Sequence, residues 1–365
     1  MTPRLAPPIV VRRILVRCPN HVGDVVMATP GLAALRTAFP EAEIVAQLPR
    51  ALHPLLEGAG LVDGIWDVEP RARGVGALVR DARRTARHDF DLGIAIPESI
   101  SSALRMRLGR VPHVVGFARD PLRRWLLHEE VSAPAEWGRR RLVSRERFVA
   151  RLMEAVGAEV APGPPRLVLA TTQAEVARLE RTLQGVGASP EALRRTPPVV
   201  LAPGAGFGDS KCWPVASFAA LADRLCAEGA TIVLVGSPAE VSRVAAVRAA
   251  MRGEAWMLAG DLDLGALKVL VKGARLLVSN DAGARHVAAA FGVPSVVFFG
   301  PTSVAKTPDN LERVEVLETG HACRPCYRPT CSIDHRCLTT ISVESALAAA
   351  RRAVASRPPG AGGGA

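Results

Sequence analysis

The sequence predicts an α/β protein made of two Rossmann-like domains, each a doubly wound parallel sheet. Three observations support this prediction. Short apolar runs alternate with longer amphipathic segments along most of the 365 residues, which is the pattern of repeated βα units. Segments rich in Pro and Gly interrupt the alternation near the middle of the chain, and it then begins again. The 48% content of hydrophobic residues is enough to fill two cores.

The first domain is predicted to cover residues 1–175. It opens with a strand, a polar loop, a long helix and a second strand, which together form a βαβ unit. The predicted strands of this domain are 14–17, 44–47, 64–68, 91–96 and 114–117, and its predicted helices are 24–39, 76–88, 99–108 and 148–157.

The second domain is predicted to cover residues 176–355, with a cysteine-rich segment at 321–337. Residues 356–365 consist mostly of Gly, Pro and Ala, and we expect them to form a disordered tail. From residue 174 on, the predicted strands are 199–202, 231–235, 256–258, 276–278 and 296–299, and the predicted helices are 174–184, 215–228, one ending at 251, 264–272, 285–291 and 342–355.

The loop after the first strand carries a candidate catalytic carboxylate. It reads PNHVGD and ends at Asp24. In a parallel sheet this loop lies at the carboxyl edge, where open α/β sheets bind ligands. Asp24 is therefore either the N-cap of the following helix or a general base held within reach of a hydroxyl group. The loop lacks the GxGxxG pattern of a dinucleotide site.

The loop that opens the second domain is rich in glycine and contains one lysine. It reads PGAGFGDSKCWP, and its lysine is Lys211. The spacing is not that of a Walker A loop. Two interpretations remain open: a flexible loop whose lysine offsets the charge of a diphosphate leaving group, or a surface loop with an incidental lysine.

Residues 279–302 predict a loop, a short helix, a strand and a second loop. The first loop and the helix carry Asp281, Gly283 and His286. A loop with glycine that leads into a helix amino terminus presents free N–H groups to an anion. The alternative is that Asp281 only caps the helix and His286 packs in the core.

Four cysteines fall within fifteen residues near the end of the second domain: Cys323, Cys326, Cys331 and Cys337. In a reducing compartment such a group favours a structural zinc site. The alternatives are unligated thiols and disulfides formed on oxidation.

Charge and hydropathy restrict the partners of the protein. The net charge of +11 favours an anionic partner. A genome of high GC content, which favours Arg and Ala codons, also explains it. The arginines concentrated in the first half either form a solvated face or bind an anionic acceptor or lipid head groups. The aromatic content of 4% argues against a platform for single-stranded nucleic acid. We see no signal peptide and no apolar run of 18 residues, so we expect a cytoplasmic protein.

Taken together, these motifs resemble glycosyltransferase family 9, the ADP-heptose:lipopolysaccharide heptosyltransferases, and within it the heptosyltransferase II group. The resemblance covers residues 14–353 and rests on three segments in order. These are the strand–loop–helix that contains PNHVGD, the lysine-bearing loop followed by Trp-Pro, and NDAGARHVAAAFGVPSVVFFGPT.

The resemblance implies a GT-B fold, in which the two domains face a central cleft, and a direct, inverting transfer that requires no metal. The first domain would take an anionic glycolipid acceptor and the second an ADP-sugar donor. Asp24 would be the catalytic carboxylate, and Lys211 would lie at the donor diphosphate. The implied donor-binding residues are Gly204, Gly206, Ser210, Ser237, Glu240, Leu262, Asp281, Ala282, Gly283, Arg285 and His286, and the implied acceptor-binding residues are Asn20, His21, Gly23 and Arg119.

Two positions depart from the pattern of the family. Ala282 stands where many members have a hydroxyl residue, and Arg285 stands where Met or Leu is common. The leading hypothesis is transfer of heptose from ADP-heptose to inner-core lipopolysaccharide or a related glycan, on the cytoplasmic face of the inner membrane and without nucleic acid. The alternatives are a transferase with another nucleotide sugar and a non-catalytic protein that binds nucleotide sugars.

Overall fold

The computed structural model describes residues 10–68, 75–118, 120–137, 143–161 and 163–356. The chain divides into two compact units, Met1–Ala170 and Thr171–Ala365. Apart from Ser356, the predicted tail at 356–365 lies outside the described residues.

Unit 1 contains a six-stranded parallel sheet in the order β3-β2-β1-β4-β5-β6. Its strands are β1 (Arg13–Arg17), β2 (Glu43–Leu48), β3 (Gly64–Asp67), β4 (Leu92–Ala95), β5 (His113–Gly116) and β6 (Glu129–Glu130). Its helices are α1 (Val22–Ala38), α2 (Val75–Thr85), α3 (Ile100–Leu108), α4 (Pro121–Arg124) and α5 (Arg145–Ala155).

The central strand of unit 1 and the helix that follows it are both deeply buried. Four of the five residues of β1 are buried, as expected for a strand covered by helices on both faces. Helix α1 packs closely against α5 at Gly31, where an added Cβ would lie 2.6 Å from Cγ1 of Val149. This contact holds the amino end of α1, and so Asp24, in a defined place on the sheet edge.

Unit 2 repeats the same plan with the strand order β12-β11-β10-β7-β8-β9, again all parallel. Its strands are β7 (Val199–Ala202), β8 (Ile232–Leu234), β9 (Ala255–Met257), β10 (Leu276–Asn280), β11 (Ser295–Phe299) and β12 (Val314–Glu318). Its helices are α6 (Gln173–Gly185), α7 (Pro190–Arg195), α8 (Val215–Ala227), α9 (Val241–Ala250), α10 (Leu264–Lys272), α11 (Gly283–Ala290), α12 (Arg336–Thr339) and α13 (Val343–Ala355).

Both sheets have the strand order of a dinucleotide-binding Rossmann fold. In unit 1 the direction of winding reverses between β1 and β4, and in unit 2 between β7 and β10. Ligands of open α/β sheets bind beyond the carboxyl ends of the strands at such a switch point. The loops that carry Asp24, Lys211 and Asp281 follow β1, β7 and β10, so the topology brings each candidate loop to a switch point.

An aromatic cluster anchors the core of unit 2 directly beneath the switch point. The ring of Trp213 stacks on Phe298 with centroids 4.2 Å apart and meets Phe218 edge-on at 5.2 Å. Trp213 is fully buried, and its Nε1 donates to the carbonyl of Ile341 at 3.1 Å. Because Trp213 follows Lys211 by two residues, this cluster fixes one end of the lysine-bearing loop.

The predicted α/β class and the two parallel sheets are confirmed. The edge strands β6 and β12 were not predicted, since β6 has two residues and β12 alternates apolar with acidic residues. The interdomain helix α6 lies in unit 2, where a fully buried ion pair between Glu175 and Lys268 at 3.0 Å joins it to α10. Among the described residues, no helix is both long and apolar enough to cross a membrane.

Candidate active site

The two loops at the switch point of unit 2 are tied together by a buried asparagine. Asn280, the last residue of β10, is fully buried. Its Oδ1 accepts from the backbone N of Trp213 at 2.9 Å, and its Nδ2 donates to the carbonyl of Pro203 at 2.8 Å. One amide side chain therefore fixes both ends of the lysine-bearing loop against the strand that leads to Asp281.

A second set of contacts supports the lysine-bearing loop from the cysteine-rich segment. The backbone N of Ser210 donates to the carbonyl of Pro329 at 3.2 Å, its hydroxyl donates to the carbonyl of Arg328, and its own carbonyl accepts from Nε2 of His335 at 2.7 Å. Gly208 has φ +141°, and a Cβ there would lie 2.3 Å from the carbonyl oxygen of Pro329. These contacts hold the short 3₁₀ turn Asp209–Lys211 in place.

A charged cluster lies where the two loops meet. The ammonium group of Lys211 donates to the carbonyl and to Oδ2 of Asp281, both at 2.9 Å. Nε of Arg285 donates to Oδ1 of the same carboxylate at 2.9 Å, and the hydroxyl of Thr302 donates to Oδ2 at 2.7 Å. Both carboxylate oxygens of Asp281 are thus bound, between two cations.

The electrostatics of this cluster fix the charge of each member. Burial alone would raise the pKa of the Asp281 carboxyl group, but the charges of Arg285 and Lys211 and the hydrogen bonds from Lys211 and Thr302 outweigh it and hold the pKa well below its usual range. His286 has its pKa lowered well below the ordinary value, first by burial and then by the charge of Arg285. At neutral pH, Asp281 is therefore ionised and His286 is neutral.

The amino end of α11 adds backbone donors beside the cluster. Helix α11 begins at Gly283, and Ala282 is its N-cap residue. In the described part of the chain, no side chain caps this helix end. The N–H of Arg285 donates to the carbonyl of Ala282 at 3.3 Å, which leaves the N–H groups of Gly283 and Ala284 to face an anion. The helix dipole contributes the equivalent of about half a positive charge.

A pocket of about 490 Å³ lies between the lysine-bearing loop and the loop after β8. Its lining includes Gly206, Ser237, Glu240 and Arg243. Oε2 of Glu240 accepts from both the backbone N and the hydroxyl of Ser237 at 2.8 Å. A Cβ on Gly204 would lie 2.3 Å from Cδ and Oε1 of Glu240, so only glycine leaves room for this carboxylate.

The remaining lining residues are small or apolar, except for one acidic side chain. Asp209 forms an ion pair with Arg243 at 2.5 Å on the rim of the pocket. Cys212 also lines the pocket, and burial raises the pKa of its thiol to about 11, so it carries no charge at neutral pH. A pocket of this size, with a few polar groups on an otherwise small-residue lining, fits a nucleoside.

The candidate base of unit 1 lies in a different environment. Asp24 is in the first turn of α1, and the N-cap residue is His21, which adopts an extended backbone. The Asp24 side chain is 33% exposed, and its Oδ1 lies 3.7 Å from Nε of Arg145. Asp24 is thus not the N-cap of the helix, and its carboxylate remains partly open to solvent.

The loop before α1 is held by a buried arginine. Nη2 of Arg17 donates to the side-chain oxygen of Asn20, and Nη1 donates to the carbonyl of Gln47 at 3.1 Å. Burial lowers the pKa of Arg17 to about 10, so the group stays charged at neutral pH. The side chain of Asn20 is therefore already engaged in positioning the loop that carries His21, Gly23 and Asp24.

Each unit therefore has a chemistry of its own. Unit 1 offers a partly exposed carboxylate that can accept a proton from a hydroxyl group. Unit 2 offers a cationic cluster, a helix amino terminus and a neighbouring pocket, which together suit a nucleoside carrying a negatively charged leaving group.

Comparison with known proteins shows the family of the chain. Residues 79–336 match glycosyltransferase family 9 (heptosyltransferase). Lipopolysaccharide heptosyltransferase 2 of Salmonella typhimurium is 31% identical over 315 residues, which cover 84% of this chain and 87% of that protein. The chain belongs to glycosyltransferase family 9.

Solved structures of family 9 glycosyltransferases extend over nearly the whole chain. The ADP-heptose lipopolysaccharide heptosyltransferase II of Escherichia coli superposes with a TM-score of 0.78 at 26% identity, covering 94% of this chain and 98% of that one. A family 9 glycosyltransferase from Veillonella parvula shares the fold with a TM-score of 0.81 at 21% identity, covering 95% and 98%. The protein is therefore a glycosyltransferase with the GT-B fold.

The structure brings together most of the site residues that the family resemblance implied in unit 2. Lys211, Asp281 and Arg285 are in direct contact, and Gly206, Ser237 and Glu240 line one pocket. Ser210 is 3% exposed and bonded to the cysteine-rich segment. The roles of these residues remain predictions.

Among the described residues, the lining of the pocket does not include Leu262, which is half-buried in the turn before α10. Arg119, an implied acceptor-binding residue, lies outside the described residues.

Sequence reasoning missed several residues that hold the site together. Asn280 and Thr302 stand in the quoted motif, and a polar residue at the end of a buried strand was the available signal for Asn280. Nothing in the local sequence pointed to the ion pairs of Arg145 with Asp24 or of Arg243 with Asp209, because both join residues far apart in the chain.

The predicted zinc site is not supported. Cys323, Cys326, Cys331 and Cys337 line one cavity of about 260 Å³ together with His335, but their thiols are free. Within the described parts of the chain, no three His, Cys, Asp or Glu side chains are grouped to hold a metal ion. Cys337 belongs to the apolar core of unit 2, whereas Cys323 and Cys326 are exposed.

Proposed function

We propose that this glycosyltransferase moves a heptose from ADP-heptose to inner-core lipopolysaccharide or a related cell-surface glycan, with inversion at the anomeric carbon. The observation that carries the proposal is the contact of Lys211 with Asp281 at the switch point of unit 2, beside a pocket of nucleoside size. The similarity to lipopolysaccharide heptosyltransferase 2 supports heptose as the sugar and lipopolysaccharide as the acceptor.

In this proposal the donor lies across the carboxyl edge of β7, β8 and β10. The nucleoside occupies the pocket, where Ser237 and Glu240 present polar groups to the ribose. The diphosphate lies over the amino end of α11, at Ala282 and Gly283, within reach of Lys211. A lysine and a helix amino terminus stabilise the negative charge that develops on the β-phosphate of ADP as it leaves.

The acceptor side of the reaction belongs to unit 1. Asp24 accepts the proton of the acceptor hydroxyl group, and the hydroxyl oxygen attacks the anomeric carbon of the heptose. The bond from that carbon to the β-phosphate oxygen breaks, and its electron pair leaves with ADP. The partial exposure of Asp24 and its place in the loop-to-helix turn after β1 support this role, since a general base must be within reach of the acceptor hydroxyl group.

Asn20, His21 and Gly23 form the loop that would contact the acceptor, with Arg119 contributing charge. The net charge of +11 supports an anionic glycolipid and a peripheral position on the cytoplasmic face of the inner membrane. The proposed transfer uses no metal ion and no nucleic acid. The sequence Asp261-Leu262-Asp263 has the form of an Asp-x-Asp metal motif, but Asp263 caps α10 and pairs with Arg178 at 2.8 Å.

A panel of nucleotide sugars tests the donor. Purified protein is incubated with ADP-heptose, ADP-glucose, UDP-glucose or GDP-mannose, together with truncated inner-core lipopolysaccharide carrying either no heptose or one heptose. Release of the nucleotide and thermal stabilisation by each donor are measured in parallel. We expect ADP-heptose to give the largest stabilisation and to release ADP only when an acceptor is present.

The other outcomes identify the alternatives. If another nucleotide sugar both stabilises the protein and releases its nucleotide while ADP-heptose does neither, the enzyme class stands and the donor is wrong. If ADP-heptose stabilises the protein but no acceptor leads to release of ADP, the protein binds nucleotide sugars without catalysing this transfer.

A further inference from the structure

Arg285 cannot act on the donor by touching it. Its side chain is 1% exposed, although the helix that carries it begins at the proposed diphosphate site. Nε donates to Asp281, Nη2 donates to the hydroxyl of Thr307, and the guanidinium lies 5.3 Å from the ring centroid of Phe299. Arg285 can therefore act on a donor only at a distance, through its charge and through its contact with Asp281.

The charges around Asp281 add up to one net positive charge. Lys211 and Arg285 each contribute one positive charge, Asp281 contributes one negative charge, and His286 is neutral. With an uncharged residue at position 285, the pair of Lys211 and Asp281 would be neutral as a whole. A neutral pair attracts a diphosphate far less than a net cation does.

We propose that Arg285 is a positioning residue, which neutralises Asp281 so that the charge of Lys211 acts on the diphosphate of the donor. The inference rests on the proposed function, because it assumes a nucleoside diphosphate at this site. It assigns to Arg285 a role that Met or Leu at this position could not fill.

The hydrogen bonds of the cluster allow Lys211 to turn toward a phosphate while Arg285 remains bound to Asp281. The ammonium group of Lys211 has three N–H donors, of which two are used on Asp281. When Lys211 turns toward a phosphate, Oδ1 of Asp281 keeps Arg285 and Oδ2 keeps Thr302. No carboxylate oxygen is left without a partner, so Lys211 can bind the donor without the penalty of an unpaired buried charge.

The test compares ligands that differ only in charge. Dissociation constants of ADP, AMP and adenosine are measured by calorimetry, at low and high salt, for the wild-type protein, Arg285→Met and Arg285→Lys. Arg313→Met is the matched control: it also removes one positive charge from unit 2, but Arg313 donates to the carbonyl of Gly292, beyond the carboxyl end of α11.

We expect Arg285→Met to weaken ADP binding by about 10- to 50-fold, the size of one unit charge acting over several ångströms at an effective dielectric constant of about 20. Adenosine binding should change less than about twofold, and the salt dependence of ADP binding should become shallower. Arg285→Lys should recover most of the loss, and Arg313→Met should behave as the wild type.

A double variant keeps the inference testable if Arg285→Met does not fold. Asp281→Asn/Arg285→Met removes both charges and leaves Lys211 as a net cation, so its preference for ADP over adenosine should lie within about threefold of the wild type. A preference that collapses in the double variant overturns the inference. An equal loss of ADP and adenosine binding in Arg285→Met would also overturn it, because it would indicate a packing role. The absence of any loss of ADP binding in Arg285→Met would overturn it as well. Failure of the proposed function looks different, because the wild-type protein itself would then not bind ADP.

Discussion

Two aspartates stand beside the switch points of the two sheets, on opposite sides of the reversal in winding, and their surroundings are opposite as well. Asp24 and Asp281 both follow a strand at the switch point of a parallel sheet, close to a helix amino end. Asp24 is 33% exposed and lies 3.7 Å from Arg145, whereas Asp281 is bound by Lys211, Arg285 and Thr302. A carboxylate that must exchange a proton needs access, and one that must keep its charge needs partners. Under the proposed function, the same type of side chain therefore has two different roles in one chain.

We expect the largest effect on activity when the carboxylate of Asp24 is removed. Asp24→Asn keeps the shape of the side chain but removes the base, and we expect the transfer rate to fall by about 10²- to 10⁴-fold. ADP affinity, measured by calorimetry, should stay within about twofold of the wild type. Glu41→Gln, an exposed carboxylate in the same unit, is the control and should retain full activity. Loss of ADP binding along with transfer would mean that Asp24 is structural.

The second prediction breaks the charged cluster. Asp281→Asn leaves the guanidinium of Arg285 buried without its counter-charge, which costs about 3–5 kcal/mol in comparable sites. We expect the melting temperature to fall by roughly 10 °C in a thermal scan. Asp261→Asn, at an exposed position of the same unit, should melt like the wild type. Equal melting of the two variants would contradict the description of Asp281 as a fixed charge.

A third prediction concerns the pH dependence of stability, which His286 should influence. His286, next to Arg285, stays neutral in the folded state, whereas in the unfolded chain a histidine binds a proton below about pH 6.5. Stability is therefore lost as the pH falls below that value, by up to about 1.4 kcal/mol per pH unit. Urea unfolding between pH 7 and pH 5 should show a steeper loss in the wild type than in His286→Gln. Parallel slopes for the two proteins would show that His286 takes up a proton while folded.

The smallest expected effect concerns the counter-ion of Asp24. Arg145 is partly exposed and 3.7 Å from the carboxylate, and such pairs contribute about 1 kcal/mol or less. Arg145→Met should shift the free energy of unfolding by less than about 1 kcal/mol in a denaturant titration. Asp281→Asn measured beside it supplies the scale. A loss of several kcal/mol in Arg145→Met would place Asp24 in the same class as Asp281.

The sequence predicted the loops of the site well because they obey a local rule. Polar and glycine-rich segments that follow apolar runs lie at the carboxyl edge of a parallel sheet, and this rule located the loops of Asp24, Lys211 and Asp281. It did not reveal which way each side chain turns. Arg285 was expected to meet the donor, but its side chain turns inward to Asp281 and Thr307.

Contacts between distant segments were beyond sequence reasoning. Gly204 and Glu240 lie on two different loops of unit 2, and a Cβ at position 204 would collide with the side chain of Glu240. The hydrogen bonds of Ser210 reach residues 328, 329 and 335. The zinc prediction is not supported, and the reason is again a contact that the local sequence does not show. Spacing placed four cysteines near each other, but the packing of α12 drew Cys337 into the core.

The indole of Trp213 has a consequence for the order in which the protein is made. Its Nε1 donates a hydrogen bond to the carbonyl of Ile341, 128 residues further along the chain. The hydrogen-bond partners of Ser210 in the cysteine-rich segment are 118 residues or more away. A ribosome adds about 5–20 residues per second, so the lysine-bearing loop exists for several seconds before the segment that secures it has been synthesised. During that interval all of unit 1 has been synthesised but unit 2 is unfinished, and under the proposed function we expect nucleotide added then not to bind.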